Sequence, residues 1–567
     1  MTWRLYIPII CVLAFGVGNS SAQTATPSPS PETGAPVVAP TYQSTDRTLP
    51  DLGRIGVDSA DQKTLTLHEA IELALENNRD IEISRKTEKM AEFDLKAAYG
   101  FYQPRITGQG YYERATVANL SIFSNNTTTT TGTFLGNATL TGYYRPQGTV
   151  FSSSFNNTRL TSNNPISILS PQFNSNLNFG FTQPLFRGRK FDVPRRTIEV
   201  AKRNIELTDT QFRQRTIDTV TAVQRAYWDL TYALRNLQVQ RDAVHDARTQ
   251  LEHNRRLVDE GQLAPIDIVA AETQVATFEQ AVYDAVNTVN QAENTLKNLV
   301  SPNRADSIWT ASLTPVESVD LTVPDPALPD AIDQAMQNRP ELDINKTQRA
   351  INQLDQRLYQ DQTKPQIDLF SSYNSAGVGG SLNPSFTSPF CVNNPNPAQC
   401  QAALVQPFLS QIGGSGTAFS DIFANKYPVW RVGLNFNLPL FGDKTAKANL
   451  GRARVEGERL EVTREQLEQN IQVEVRNALQ SIRAAEARLR AAAIARENSE
   501  KLYESERRKL DSGESDIYKV LDRQTALATA RSNELRARTD LNKAIADLQR
   551  ATGNTLQAND VVPKLQK

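Results

Sequence analysis

The side chains whose chemistry stands out are carboxylates, which gather in two short segments, 259–267 and 511–516. The acidic residues of these segments are Asp259, Glu260, Asp267, Asp511, Glu514 and Asp516. Clustered carboxylates can attract cations, or they can be solvated charges at helix ends, and both interpretations stay open at this stage. No nucleophile elbow or phosphate-binding glycine loop occurs in the sequence, so we expect no enzyme.

The histidines and aromatic residues add no second site. His68, His245 and His253 are scattered and lack the spacing of metal ligands. Tyr227 and Trp228 lie in a helical pattern, where packing in a core is the more common role. We therefore expect neither a metal nor a cofactor.

Residues 1–22 have the pattern of a secretory signal peptide. Arg4 precedes an apolar run, and Ser20, Ser21 and Ala22 provide the small residues of a cleavage site. Residues 23–63 are rich in Pro, Ser and Thr, which is typical of an extended linker.

Export places the mature chain where disulfides form. Cys391 and Cys400 are nine positions apart in a segment rich in Pro and Asn, and this spacing predicts a loop-closing disulfide. The pair lacks the spacing of a redox or metal motif, and no histidine lies nearby in the sequence.

The composition argues against several globular domains in a chain of 567 residues. Only 39% of the residues are hydrophobic, and the mean hydropathy is -0.46. A thin wall of helices that is wet on both faces needs no large core. The formal net charge of -1 gives no reason to expect a nucleic-acid partner.

The longest regular pattern predicts a helical hairpin at 192–300. Asp192 is a candidate N-cap, and no Gly or Pro follows Pro194 until Gly261, which predicts a first helix of roughly 100 Å. The return helix has apolar residues at the spacing of a coiled-coil seam. The seam residues are Ile268, Ala271, Val275, Phe278, Val282, Ala285, Val289, Ala292, Leu296 and Leu299.

A second hairpin is predicted at 443–553, because the residues around the first turn recur at a constant offset of 252. Arg255, Gly261 and Thr273 correspond to Arg507, Gly513 and Thr525. The second seam is interrupted by the charged residues Arg523 and Glu534, so we expect this hairpin to be the more mobile one.

A further duplication relates 69–106 to 330–367 at a constant offset of 261. The sequence therefore predicts an internal two-fold repeat. Its parts are a first repeat at 64–300, an inter-repeat (equatorial) linker at 301–327, a second repeat at 328–554 and a C-terminal tail at 555–567.

Each repeat is predicted to contain two strands joined by a long polar loop. The strands are 104–115, 174–187, 365–375 and 428–441, and the loops are 116–173 and 376–427. Within the strands apolar and polar residues alternate, as in the strands of a transmembrane barrel. Four strands cannot close a barrel, since an open edge in lipid leaves backbone groups without hydrogen bonds.

Three copies of the chain would supply twelve strands. The predicted fold class is thus a membrane β-barrel plus an all-α coiled-coil barrel, completed in a trimer. Threefold symmetry would turn the acidic turn residues into rings, and Arg255 or Arg507 could hold such rings closed. The predicted gate residues are Asp259, Asp267, Asp511 and Asp516.

This order of elements resembles the TolC-like outer-membrane efflux proteins, and the likeness covers about 64–554. Its most specific parts are Arg225-Ala-Tyr-Trp-Asp-Leu230 and the Gly261 and Gly513 turns. The resemblance implies a homotrimer in the bacterial outer membrane, with a twelve-stranded barrel continued by a long α-helical tunnel into the periplasm. It also implies a passive exit duct of an efflux or type I secretion system, with a periplasmic adaptor and an inner-membrane pump as partners.

The resemblance further implies that the two turns form the surface met by the adaptor. The implied docking residues are Arg256, Gly261, Gln262, Leu263, Arg508, Gly513, Glu514 and Ser515. The alternative is that the chain is itself a periplasmic coiled-coil adaptor or structural protein of an export complex. Such proteins also contain long helical hairpins, but they have no need of four strands matched to lipid.

Overall fold

A computed structural model describes residues 53–118, 127–317, 322–439 and 442–561. The predicted signal peptide and most of the predicted linker lie outside these residues. The α-helices are α1 (Leu67–Asn77), α2 (Arg79–Tyr99), α3 (Val193–Asp259), α4 (Ile266–Val300), α5 (Leu328–Asn338), α6 (Pro340–Gln362), α7 (Pro397–Val405), α8 (Ser415–Phe423), α9 (Lys444–Asp511), α10 (Ile517–Ala551) and α11 (Thr555–Ala558).

The strands form two sheets, one of two strands and one of six. They are β1 (Asp58–Leu65), β2 (Arg105–Ala118), β3 (Thr128–Tyr144), β4 (Thr149–Ser162), β5 (Leu169–Pro184), β6 (Ala311–Pro315), β7 (Gln366–Leu382) and β8 (Tyr427–Asn437). The small sheet pairs β1 with β6 in parallel. The large sheet is antiparallel throughout, in the order β2-β3-β4-β5-β7-β8.

The long helices begin at aspartate caps. Asp192 accepts a hydrogen bond from the backbone N–H of Arg195 at 2.9 Å, and α3 then continues for 67 residues. Asp443 accepts from the N–H of Ala446 at 2.9 Å, and α9 continues for 68 residues. Both caps satisfy N–H groups that a helix leaves free at its start.

Residues 116–173, predicted as a loop, contain the hairpin β3–β4, and that prediction was wrong. β3 and β4 lie between β2 and β5, so the sheet has six strands rather than four. The segment looks like a loop because its side chains are mostly Thr, Ser, Asn and Gly. A barrel strand is polar on one face, however, so a polar composition is compatible with a strand.

The second predicted loop, 376–427, is also structured. β7 extends to Leu382, and α7 and α8 follow before β8 begins. The structure contains a disulfide between Cys391 and Cys400, whose Cα atoms are 5.6 Å apart. α8 packs on β7, where Gly377 and Gly379 leave room for its backbone.

Parts of both predicted linkers form the small sheet. β1 begins within 23–63, and β6 lies within 301–327. A core of apolar side chains packs beneath this sheet, including the fully buried Leu65, Tyr227, Trp228 and Leu313. The Tyr227 hydroxyl donates to the carbonyl of Leu65 at 3.1 Å, which supports the core role expected for this residue.

A buried carboxylate on α4 forms a hydrogen bond with the small sheet. The Glu293 side chain is inaccessible to solvent and accepts hydrogen bonds from Arg54 at 2.9 Å and from the N–H of Leu313 at 2.7 Å. Lys297, also inaccessible, places its Nζ 3.6 Å from Glu293 and donates to the carbonyl of Trp309 at 3.1 Å. Burial lowers the pKa of Lys297, and Glu293 opposes that shift.

Glu293→Ala is expected to destabilise the region around the small sheet by about 3–5 kcal/mol, because it leaves the buried Lys297 without a counter-charge and the N–H of Leu313 without its acceptor. Thermal unfolding followed by helical circular dichroism checks this. Glu206→Ala, which removes an exposed pair with Arg203, is the control and should cost at most about 1 kcal/mol. Equal effects of the two variants would show that the buried cluster does not contribute as argued.

Candidate functional site

The first hairpin turn ends α3 with a left-handed glycine. Gly261 has φ +74°, and its N–H donates to the carbonyl of Val258 at 2.9 Å. The N–H of Gln262 donates to the carbonyl of Leu257 at 2.8 Å, which satisfies a second carbonyl at the helix end. This leaves Arg256 and Gln262 exposed and Leu263 half-buried.

The second turn repeats this geometry at the end of α9. Gly513 has φ +75° and donates to the carbonyl of Leu510 at 2.9 Å, and Glu514 donates to the carbonyl of Lys509 at 2.8 Å. The Ser515 hydroxyl donates to Glu506, and this bond holds the pKa of Glu506 below its usual value. Arg508, in the last turn of α9, is exposed.

Side chains from both hairpins meet near the turns. His253 Nε2 on α3 lies 3.1 Å from Asp511 Oδ1 at the end of α9. Further along, the Gln274 side chain on α4 donates to the Thr525 hydroxyl on α10 at 2.9 Å. Leu510, Ile517, Val520 and Leu521 form a small buried cluster, against which Ala270 of α4 packs. The two turns are therefore neighbours within one chain.

The predicted gate carboxylates have different local roles. Asp511 contacts His253 of the other hairpin, whereas Asp516 caps α10 by accepting from the N–H of Lys519 at 3.1 Å. That N–H holds the pKa of Asp516 below its usual value, so the charged cap is lost only as the pH falls through this lowered pKa. Asp267 accepts from the N–H of Ala264 at 3.1 Å.

Asp259 is exposed at the last position of α3. Arg255 and Arg507, which were proposed to hold the acidic rings closed, have partners on the helices rather than in the acidic turns. Arg255 lies 3.2 Å from Glu272 within its own hairpin, and Arg507 interacts with Tyr503.

Ion pairs join α9 to α10 where the sequence showed an interrupted seam. Glu534 lies 2.6 Å from Arg496, and Arg531 lies 3.1 Å from Glu500. Sequence reasoning identified the interruption at Glu534 but not its partner. Glu534 also accepts from Arg538 at 2.9 Å, an i,i+4 pair within α10 that the sequence does signal. Its contact with Arg496 and the contact of Asp511 with His253 have no local signal, because both join separate helices.

Among the described residues, no group of His, Cys, Asp and Glu side chains is arranged to hold a metal ion. Within the same residues, no helix combines the length and apolar character that crossing a membrane would require.

The sequence of the two halves identifies the family. Segments 150–301 and 331–554, which include all four long helices, match the outer membrane efflux protein family. The chain belongs to the outer membrane efflux protein family. It is therefore an outer-membrane protein that extends into the periplasm, as the TolC-like resemblance implied. The adaptor alternative is thereby set aside.

Solved structures of outer-membrane channels share the fold of this efflux-family chain. CmeC of Campylobacter jejuni is 14% identical, with a TM-score of 0.59 and 86% of each chain covered. VceC of Vibrio cholerae is 13% identical, with a TM-score of 0.58 and coverage of 86% of this chain and 96% of VceC. Open-state MtrE of Neisseria gonorrhoeae is 16% identical, with a TM-score of 0.56 and coverage of 86% and 89%. No curated protein matches the chain at the sequence level.

Gly261→Ala and Gly513→Ala are each expected to destabilise their turn by about 1–2 kcal/mol, because alanine is strained at positive φ. Since the added methyl groups meet no neighbouring atom, strain is the only cost. Hydrogen exchange of the turn amides, followed by mass spectrometry, should quicken by roughly 5- to 30-fold.

Gly416→Ala is the matched control, since it adds the same methyl group to open space in α8 without positive φ. It should leave exchange at the turns unchanged. Unchanged exchange in the Gly261→Ala and Gly513→Ala variants would contradict the role given to the turn glycines.

Proposed function

We propose that the chain is the outer-membrane exit duct of a tripartite efflux or type I secretion system. It conducts substrates passively from an inner-membrane pump, to which a periplasmic adaptor connects it. The observation that carries this proposal is a sheet with one apolar and one polar face, joined directly to helices of 67 and 68 residues.

The apolar face of the sheet fits lipid. The register brings most of its large apolar side chains onto one side: Ile106, Tyr112, Phe134, Leu140, Phe151, Phe155, Leu177, Phe179, Phe181, Ile367, Leu369, Tyr373, Trp430, Val432, Leu434 and Phe436. Tyr111, Leu135, Tyr143, Leu160 and Phe370 lie on the other side. The other side is mostly Asn, Ser and Thr, which suits a water-filled lumen. Such alternation is what a barrel wall in a membrane requires.

Both edge strands of the six-stranded sheet lack a second neighbouring strand among the described residues, which supports assembly with further copies. β2 and β8 end the six-stranded sheet, and each continues directly into a helix, α2 or α9. α2 packs on α3, α3 on α6 and α6 on α9, so α2 and α9 are the edges of the helical layer beside the sheet.

Both edge helices expose apolar stripes, which consist of Ile83, Met90 and Phe93 on α2 and Val455, Val462, Val473, Ile494 and Leu502 on α9. Exposed stripes of this kind are expected to pack against another chain. We propose a homotrimer in which α2 and β2 of one copy meet α9 and β8 of the next. The barrel then closes in the outer-membrane lipid, and the helices close a tunnel into the periplasm.

The adaptor is proposed to dock at the two turns. Arg256, Gln262, Arg508 and Glu514 are exposed there, and the glycines keep both turns compact. Leu263 and Ser515 complete the proposed surface. Because the turns are neighbours within one chain, a single helical hairpin of an adaptor can contact both.

The gate is proposed to lie at the same end of the tunnel. Asp259, Asp267, Asp511 and Asp516 would form rings in the trimer, and the contact between Asp511 and His253 would join the two hairpins in the closed state. The second hairpin is the proposed mobile part, since the half-buried ion pairs that join α9 to α10 are expected to contribute less than an apolar seam. No side chain of α9 is buried within 486–509, which the structure describes throughout.

In planar lipid bilayers, the purified protein is expected to form discrete small channels. Asp511→Asn should raise their conductance several-fold, because it weakens the contact between the hairpins. Asp516→Asn, at a second proposed gate residue, is the comparison: it removes one ring charge, but asparagine still caps α10 and the contact between the hairpins stays, so a smaller increase is expected.

A small effect of Asp516→Asn beside a large effect of Asp511→Asn supports the gate. If both variants raise the conductance equally, charge rather than the contact with His253 sets the closed state. A protein that forms no channel contradicts the duct itself.

A photo-crosslinking amino acid placed at Gln262 or Glu514 should react in cells with a periplasmic adaptor, identified by mass spectrometry of the product. The same group at Asn204, which is exposed on α3 near the sheet, is the control and should give no adaptor product. Adaptor products from Asn204 but not from the turns would place docking elsewhere.

A further inference from the structure

The hairpin β3–β4 changes the size of the proposed barrel. In the twelve-stranded barrel that the resemblance implies, β2 and β5 would be adjacent. Here β3 pairs with β2 over Thr128–Thr141, and β4 pairs with β5 over Val150–Leu160, so the hairpin separates those two strands completely. β3 has 17 residues and β4 has 14, whereas a strand needs about 9–11 residues to cross a membrane.

The turn of this hairpin lies at the helical end of the sheet. Arg145 places its guanidinium over the rings of Tyr99 and Tyr102, at 5.5 and 5.9 Å from their centroids. Arg195, at the start of α3, donates to the carbonyl of Pro146 at 3.3 Å. Gly148 approaches Gly188 so closely that a Cβ would lie 2.8 Å from its carbonyl oxygen. The hairpin therefore spans the full height of the sheet instead of extending beyond its far end.

Both faces of the sheet continue across the hairpin without a break. Phe134 and Leu140 of β3 and Phe151 and Phe155 of β4 share the lipid-matched face with Leu177 of β5 and its neighbours. Phe134 and Phe151 are exposed on this face, whereas Phe155 packs against Phe419 of α8. A hairpin located outside the membrane would gain nothing from the two exposed rings, because they would then face water.

The polar face carries a row of amides in register across four strands, and its members are Gln109, Asn137, Asn156 and Asn176. The Asn137 side-chain oxygen accepts from the N–H of Gln109 at 3.0 Å, and the Asn156 amide donates to Asn176 at 3.0 Å. Arg159, the one charged residue of the hairpin strands, pairs with Phe134 and Phe173 and therefore lies on the apolar face rather than on this one. The hairpin thus adds a neutral polar surface to the proposed lumen.

The strand directions suit closure with other copies. β2 leaves the helical end and β8 returns to it, so β8 of one chain is antiparallel to β2 of the next. We propose that the inserted hairpin is part of the barrel wall and that a trimer has eighteen strands, not twelve. This rests on the trimeric duct proposed above.

Eighteen strands about 4.8 Å apart and tilted by about 40° give a barrel roughly 36 Å across between backbones, against roughly 24 Å for twelve. The number of tunnel helices is unchanged by the hairpin. The section in the membrane is consequently wider than the family resemblance implies, and its added wall is uncharged apart from Arg159. The narrow part of the duct stays at the helical turns.

Nitroxide spin labels on single cysteines test this in the full-length protein in lipid vesicles. Leu140→Cys should give a label that collides with oxygen dissolved in lipid, and Thr139→Cys a label that collides with a water-soluble nickel complex. Leu434→Cys and Asn435→Cys make the same comparison on β8, which belongs to the proposed barrel whether or not the hairpin does.

Alternation at both pairs supports the proposal. Alternation on β8 with water exposure at both β3 sites overturns the hairpin's place in the wall but leaves the duct intact. Loss of alternation on β8 overturns the duct and this inference together. A cryo-electron microscopy section through the membrane level of the trimer gives a direct count: eighteen strand densities are expected, and twelve would overturn the proposal.

Discussion

The free backbone groups along β2 and β8 are the constraint on which the architecture depends. Within the part of the chain that the structure describes, each of these strands is paired on one side only. In hydrocarbon an unpaired N–H or C=O group costs several kcal/mol, so such an edge requires a partner strand. The helices that continue from these strands expose apolar stripes at the same edges. Sheet and helices thus require the same neighbouring chain.

A wall that is completed by other copies explains why only 39% of the residues are hydrophobic. One chain needs a dense core only where the small sheet packs on the long helices. Tyr227, Trp228 and the buried Glu293 lie in that core. Toward the turns the contacts become sparser. Ion pairs occur in both hairpins, but an apolar seam also holds α4 against α3, whereas over 486–509 α9 has no buried side chain and ion pairs at Arg496 and Arg531 join it to α10. This difference in contacts is the physical basis for assigning movement to the second hairpin.

The predictability of each element depended on how local its signal is. Asp192 and Gly261 define α3 because a cap and a helix-ending glycine act within a few residues. The strands with Phe, Leu and Val in every second position were also found. β3 was missed because Gly136, Ala138 and Gly142 occupy much of its apolar face, and small residues produce little alternation. The contacts of Glu293 with Arg54 and of His253 with Asp511 could not be predicted from the sequence, because the partners are 239 and 258 residues apart.

The most direct measurement of the central claim is the mass of the assembly released from lipid, obtained by native mass spectrometry of the detergent-purified protein. An incomplete wall closed by identical neighbours predicts a complex of three chains that survives removal of the detergent. A single folded chain under the same conditions would contradict the account, because the edges of β2 and β8 would then be stable without a partner.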